Sequence, residues 1–230
     1  MCMRYQWIIF DADGTLFDYD QAEHSALRQS FQSFNLEYRS EYLDIYRGCN
    51  KKLWEAFELG NITIKKLKIK RFELFLGQID IVVDSEEFSH EYLNQLSACS
   101  YLIDGAEKLI TSLFGKVGLI LMTNGIKEVQ RSRLGRSSIR AFFSDIIISD
   151  EVGVAKPDRR IFEIALENMS ILDKSTVLMV GDNLSSDIKG GINFGIDTCW
   201  YNPNQFEQDP EIRATYELKN LQDLQLIIEN

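Results

Sequence analysis

The sequence predicts an α/β fold: a parallel sheet with helical crossovers, interrupted near its start by a helical insertion. Three observations predict it. Four short apolar runs, at residues 6–10, 117–122, 145–148 and 177–180, are nearly continuous rather than alternating, as strands covered on both faces require. A weaker fifth run lies at 197–201. Helical stripes separate the later runs, the pattern of strand–helix–strand units with right-handed crossovers. Between residues 18 and 100 no strand pattern occurs and helical periodicity dominates.

Taken in order, the first run, Gln6-Trp7-Ile8-Ile9-Phe10, is long enough for a buried strand and stops at Asp11. In the insertion, Ala26, Leu27, Phe31 and Phe34 share one helical face. Leu53, Trp54 and Phe57 make a second stripe, Leu67, Phe72 and Phe75 a third, and Phe88, Tyr92 and Leu96 a fourth. Gly60 and Asn61 break one helix from the next. A crossover needs only about a dozen residues, so 18–100 is expected to be a domain of its own, and 1–17 with 101–230 the sheet-bearing core. Ala106, Leu109, Ile110 and Leu113 stripe the helix before the second strand, and Ile161, Ile164, Ala165 and Leu166 the helix before the fourth.

The chain has 230 residues, of which 45% are hydrophobic and 26% charged, enough apolar material for a sizeable core. A formal charge of −10 and an isoelectric point near 4.8 argue against a basic footprint for a nucleic-acid polymer. Cys2, Cys49, Cys99 and Cys199 are scattered and form no CxxC pair, so a reducing, cytoplasmic setting is expected rather than a disulfide framework or zinc site. Neither a signal peptide nor a membrane-spanning run is evident, so no membrane partner is expected. His24 and His90 both fall in the helical insertion, which speaks against histidine-based catalysis.

The chemistry gathers where strands end. Asp11 and Asp13 follow the first run and, two residues apart in extended chain, point the same way. That direction is the carboxyl edge of the sheet, where ligands bind in open α/β folds. Two carboxylates so close need a hard divalent cation or a shared proton. A proton on Asp13 beside an ionised Asp11 would make Asp11 a nucleophile and Asp13 a general acid, then base. The same DADG stretch is also compatible with a simple Asx-type turn, with Gly14 allowing the bend.

Met122-Thr123-Asn124-Gly125 brings a hydroxyl and an amide to the same edge, or else caps a helix. Lys156, before Pro157, is expected to project from a helix start. Gly181 and Asp182 end the fourth run, and Asp187 follows; Asn183 or Ser185 could cap a helix there. Together these residues suit a metal ion and a phosphoryl group, with Lys156 balancing charge on the equatorial oxygens.

These motifs, DADGTLFD (11–18), MTNG (122–125), Lys156 in AKPD and GDNLSSD (181–187), resemble those of the haloacid dehalogenase-like (HAD) hydrolase superfamily. The resemblance implies a Rossmann-like parallel-sheet core with an inserted α-helical cap of the C1 type. It implies an aspartyl-phosphate on Asp11 and acid–base work by Asp13, with Thr123, Lys156 and Asn124 holding the phosphoryl group. It also implies Mg²⁺ on the Asp11 carboxylate, the Asp13 carbonyl and Asp182, with Asp187 supporting the metal site or Lys156. The dehalogenase branch lacks the second aspartate, so Asp13 implies a phosphatase or phosphomutase.

Within the superfamily, YRGCNKKLWEAFELGNITIKKLKIKRFELF and GIDTCWYNP are similar to bacterial pyrimidine 5′-nucleotidases. Gly14 departs from the second acid that group often carries. The expected reaction is therefore Mg²⁺-dependent hydrolysis of a small phosphomonoester, foremost a pyrimidine nucleoside 5′-monophosphate. A sugar-phosphate or phosphoglycolate phosphatase, or a phosphomutase, is the alternative; a receiver-like phospho-switch or a non-catalytic binding module is the alternative of another class. Trp54 and Phe57 could stack on a base and Asn50 read its edge, or the aromatics could simply pack between helices. Phe17 is expected to line the cleft between core and cap; Arg71 and Lys52 could meet a phosphate or ribose but are expected to be solvated. A monomer or weak homodimer is expected.

Overall fold

The computed structural model describes residues 3–207 and 209–229; Cys2 lies outside the described residues. Contacts divide the chain into two compact units. One comprises the described residues up to Tyr19, Tyr101–Lys127 and those from Leu134 onward; the other comprises Asp20–Ser100 and Glu128–Arg133. The sequence placed the helical segment at 18–100 and gave no sign that 128–133 would join it.

Among the described residues the first unit holds a six-stranded sheet. Its strands are β1 (Trp7–Phe10), β2 (Gly118–Thr123), β3 (Asp145–Ile148), β4 (Val177–Gly181), β5 (Asp197–Tyr201) and β6 (Tyr216–Leu218). They run parallel in the order β3-β2-β1-β4-β5-β6. Alternation along each strand explains why the runs are apolar throughout. Ile8, Phe10, Leu119, Leu121, Leu178 and Val180 face one layer, with helix α5 (Ala106–Leu113) and the C-terminal helix α10 (Leu224–Glu229). Ile9, Ile120, Met122, Val177 and Met179 face the other, with α8 (Arg159–Asn168) and Phe194 at the end of α9 (Lys189–Phe194). The predicted stripe on α5 is the buried one. The short helix α7 (Ser149–Val152) also belongs to this unit, whereas α6 (Lys127–Arg136) is divided, its residues Glu128–Arg133 being assigned to the other unit.

Strand β5 looked weak because Asp197 and Thr198 dilute its apolar run. Thr198 is nonetheless fully buried, and it exchanges hydrogen bonds with Thr215 at 3.1 and 3.2 Å. Strand β6, three residues at the sheet edge with Glu217 exposed, carries no apolar run to find.

The second unit contains α1 (Tyr19–Ser33), α2 (Glu41–Glu58), α3 (Ile64–Gln78) and α4 (Ser85–Ala98). Thr63 caps α3 through the Lys66 N–H, and Asp84 caps α4 through the N–H groups of Glu86 and Glu87. Its core is aromatic. Phe31 meets Tyr38 and Phe88 with ring centres 5.5 Å apart in both pairs, and Tyr46 stacks on Phe72 at 5.3 Å. Such pairs are worth about 0.5–1.5 kcal/mol beyond the area they bury.

Two expectations fail here. Arg71 is 1% exposed, not solvated: its guanidinium lies 4.9 Å from the Phe72 ring centre and 5.2 Å from that of Tyr92. Asn50 is buried too. Its Oδ1 accepts from Arg71 at 3.0 Å and its Nδ2 donates to Glu23 at 3.4 Å, while Arg47 donates to Glu23 at 2.7 Å. In this arrangement the Asn50 amide serves the interior of the helical unit rather than a base edge. Trp54 is half-buried, edge-on to Phe57 at 5.6 Å, and Lys52 is exposed. Cys49, Cys99 and Cys199 are buried free thiols. Among the described residues no helix is long and apolar enough to cross a membrane.

Candidate active site

Strand β1 lies between β2 and β4, with Phe10 level with Leu121 and Val180. The Asp11 N–H continues the ladder by donating to the Val180 carbonyl at 2.9 Å. Asp11 therefore leaves the sheet at the carboxyl edge, between Thr123, the last residue of β2, and Asp182, the first after β4. The chain beyond it folds back tightly: Leu16 and Phe17 donate to the Ala12 carbonyl, and Gly14 donates to the Phe17 carbonyl. This loop corrects the expectation for Phe17. The side chain is fully buried within the core of the first unit and lines no opening.

Gly14 has φ +86°, which L side chains rarely adopt, and a Cβ there would collide with the Asp182 carboxylate. An acid at this position, as the resembling group often has, does not fit this backbone. Thr15 Oγ1 donates to Asp182 Oδ1 at 3.2 Å, and the Trp200 indole donates to the Asp182 carbonyl at 2.8 Å. Asp187 lies within a single π-helical turn, Leu184–Ile188, whose start is capped by the Asn183 side chain. Its Oδ2 accepts from the Asn183 N–H at 3.0 Å. The capping and acidic readings of GDNLSSD are therefore both realised.

Lys156 does not project outward as the sequence suggested. Helix α8 begins at Arg159 with Asp158 as its cap, so Pro157 precedes the helix, and Lys156 turns inward with 1% exposure. Its ammonium donates to Asp11 Oδ1 at 2.5 Å, to the Met122 carbonyl at 2.8 Å and to Asp187 Oδ1 at 2.7 Å. Three acceptors match the three protons of an ammonium group. Asn124 binds not an open space but the main chain of Lys156, through two hydrogen bonds of 2.8 Å. Asp13 is half-buried in the loop after β1, and Thr123 is buried at its strand end.

The electrostatics follow from crowding acids around one cation. Oxygen atoms of Asp11, Asp182 and Asp187 lie within 4.8 Å of one another. Burial pushes the Asp11 carboxyl well above the usual carboxylate range; Lys156 opposes this, and Asp187 and Asp182 reinforce it. Asp182 is pushed up to about 7, by burial first and then by Asp187. Burial disfavours the Lys156 ammonium, but Asp11 and Asp187 outweigh it and hold the group more basic than usual. Three carboxylates against one lysine leave surplus negative charge on hard oxygen donors, the donor set a small divalent cation takes. The residues present fit such an ion.

Of the residues the sequence singled out, Asp11, Asp182, Asp187 and Lys156 come together in the structure; the Met122 carbonyl and Trp200 had not been singled out. A main-chain acceptor leaves no trace in residue identity, and Trp200 read only as part of a weak strand.

The profile of the haloacid dehalogenase-like hydrolases matches residues 8–201. Pyrimidine 5′-nucleotidase YjjG of Escherichia coli is 36% identical over 98% of this chain and 99% of its own length. Pyrimidine 5′-nucleotidase PynA of Streptococcus pneumoniae is 34% identical over 96% and 94%. The magnesium-bound crystal structure of the HAD-hydrolase YfnB of Bacillus subtilis superposes with a TM-score of 0.93 at 35% identity, covering 99% of this chain and all of that one. With the strand-end acids, lysine and threonine in this arrangement, the chain belongs to the haloacid dehalogenase-like hydrolase family.

Proposed function

We propose that this protein is a Mg²⁺-dependent phosphomonoester hydrolase that works through an aspartyl-phosphate on Asp11, with a pyrimidine nucleoside 5′-monophosphate as its substrate. The observation that carries the chemistry is the Asp11 carboxylate, seated at the sheet edge in contact with a buried lysine and beside two further acids. The substrate reading is supported by the relatives named pyrimidine 5′-nucleotidases, which match over nearly the full length of both chains. Membership in a hydrolase family sets the receiver-like alternative aside.

In the first step an Asp11 oxygen attacks phosphorus, and the bond from phosphorus to the 5′-oxygen breaks with its electron pair on that oxygen. Asp13, entering as the carboxylic acid, gives the proton that completes the nucleoside alcohol. In the second step Asp13, now a carboxylate, takes a proton from water as the water oxygen attacks phosphorus. The bond to Asp11 breaks, phosphate leaves, and both residues return to their starting states. Lys156 stays protonated under the pull of Asp11 and Asp187 and offsets charge on the transferring group. Thr123 offers a neutral donor at the same edge. Held by Asp11, the Asp13 carbonyl and Asp182, Mg²⁺ would supply positive charge for the phosphoryl oxygens. Asp187, engaged with Lys156 and the Asn183 N–H, orients the lysine.

The test is phosphate release from a panel of pyrimidine and purine nucleotides, sugar phosphates, phosphoglycolate and an aryl phosphate, with Mg²⁺, comparing the natural chain with Asp11→Asn. Fast release from pyrimidine nucleotides that Asp11→Asn abolishes is expected. Preference for sugar phosphates would overturn the nucleotidase reading and keep the mechanism. Release unaffected by Asp11→Asn would overturn the mechanism.

A further inference from the structure

Lys156 is the cation of the site, yet no strand or helix holds its main chain: it lies in the loop between α7 and the cap of α8. What holds it is one side chain. Asn124 Oδ1 accepts from the Lys156 N–H at 2.8 Å, and Asn124 Nδ2 donates to the Lys156 carbonyl at 2.8 Å. Opposite ends of one planar amide thus close on opposite ends of one residue, fixing both its position and its rotation. Two residues earlier on the same segment, the Met122 carbonyl takes a proton of the Lys156 ammonium at 2.8 Å. The end of β2 therefore grips this lysine at its main chain and at its head. A lysine has four side-chain torsions, so its head reaches Asp11 and Asp187 together only if its Cα is fixed.

We propose that Asn124 is a positioning residue, acting through Lys156, rather than the phosphoryl ligand that the TNG motif suggested. Its catalytic consequence rests on the phosphoryl-transfer reading above; its effect on Lys156 does not. Without the Asn124 amide, the 156 loop opens and the ammonium leaves its three acceptors for part of the time. A displacement on the order of 1 Å of a charge-stabilising group costs about 100-fold in rate.

Two readouts test this in Asn124→Ala and in Asn124→Gln, whose longer stem cannot span both main-chain atoms while keeping its backbone in place. The first needs no activity: brief reductive methylation, read residue by residue by mass spectrometry. Labelling of Lys156 is expected to rise about tenfold or more, the factor two lost hydrogen bonds give, while exposed Lys51 labels equally in every variant. Unchanged Lys156 labelling in both folded variants would overturn the proposal. The second is a double-mutant cycle on an aryl phosphate. Asn124→Ala alone is expected to lower kcat by about 10- to 100-fold with inhibition by inorganic phosphate little changed, and to lower it no further in a Lys156→Ala background. Losses that multiply, or a loss of phosphate affinity in proportion, would mean that Asn124 meets the phosphoryl group independently and would overturn it. A natural chain that hydrolyses nothing would sink the proposed function, while the labelling would still decide the role of Asn124.

Discussion

Replacing Lys156 by methionine removes the one cation from a cluster of three buried or half-buried acids while keeping a similar apolar stem. Asp11 Oδ1, Asp187 Oδ1 and the Met122 carbonyl lose their shared donor together. Removing one partner of a buried ion pair costs about 3–5 kcal/mol, because the other charge stays behind without compensation. In a chain of this length each kcal/mol moves the melting temperature by about 2–4 °C, so the metal-free variant should melt about 6–20 °C lower at pH 8.

The sign of the pH dependence follows from the acids. Asp11 and Asp182 already hold their protons more tightly than ordinary carboxylates, and losing Lys156 strengthens that hold. A carboxyl whose folded-state pKa is raised favours folding at low pH and loses that contribution as pH rises through its folded value. The gap between natural chain and variant should therefore narrow on acidification from pH 8 to pH 5. Excess Mg²⁺ should narrow it at pH 8, since the ion replaces missing positive charge. Thermal melting followed by circular dichroism, with chelator or with Mg²⁺, checks all three. A shift below about 2 °C at pH 8, or a gap that widens on acidification, would refute the picture of Lys156 as the charge that holds these acids together.

Further outcomes follow from the same geometry. Gly14→Ala forces a side chain into a left-handed conformation and against the Asp182 carboxylate, so it should lose about 1–2 kcal/mol in urea unfolding and bind Mg²⁺ more weakly. Because Asp182 is pushed up to about 7 and Asp11 is raised as well, Mg²⁺ must displace protons as the pH falls; calorimetric affinity should drop progressively on acidification below about 7. An affinity that ignores pH would contradict this. Trp200→Phe removes the indole donor to the Asp182 carbonyl and keeps most of the packing, so it should weaken Mg²⁺ binding, measured by titration calorimetry, while costing about 1–3 kcal/mol of stability.

Much of the fold was legible because it rests on one-dimensional patterns. Strands buried on both faces need unbroken apolar runs, and β1 to β4 have them; helices packed on one face need a stripe, and α5 buries the predicted one. Strand β6 escaped because three residues at a sheet edge need no apolar run. Asp11 and Asp182 were legible because each directly follows a strand, where chain direction alone sends side chains to one edge; Lys156 and Asp187 lie further along, in a loop and in a helical turn.

Their partners were less so. Lys156 was expected to point outward because Pro157 suggested a helix start, whereas Asp158 caps the helix and the loop before it turns inward. The predicted roles of Asn124 and Asn50 followed from what an amide can bind, not from which neighbour reaches it first. Here a lysine peptide and an Arg71–Glu23 pair do so. Phe17 looked like a cleft residue from its place after the first motif, but the tight 12–17 loop folds it into the core. For Lys156, Asn124 and Phe17 such choices depend on loops, whose course no periodicity encodes; for Asn50 they depend on which side chains of α1 and α3 meet α2.

The most direct measurement is acid-quenched mass spectrometry of the Asp11 peptide during turnover of a pyrimidine nucleoside 5′-monophosphate with Mg²⁺, in the natural chain and in Asp13→Asn. The account predicts a phosphoryl adduct on Asp11 that accumulates when Asp13 can no longer activate water. Turnover with no adduct on Asp11 in either protein, or an adduct on another residue, would contradict it.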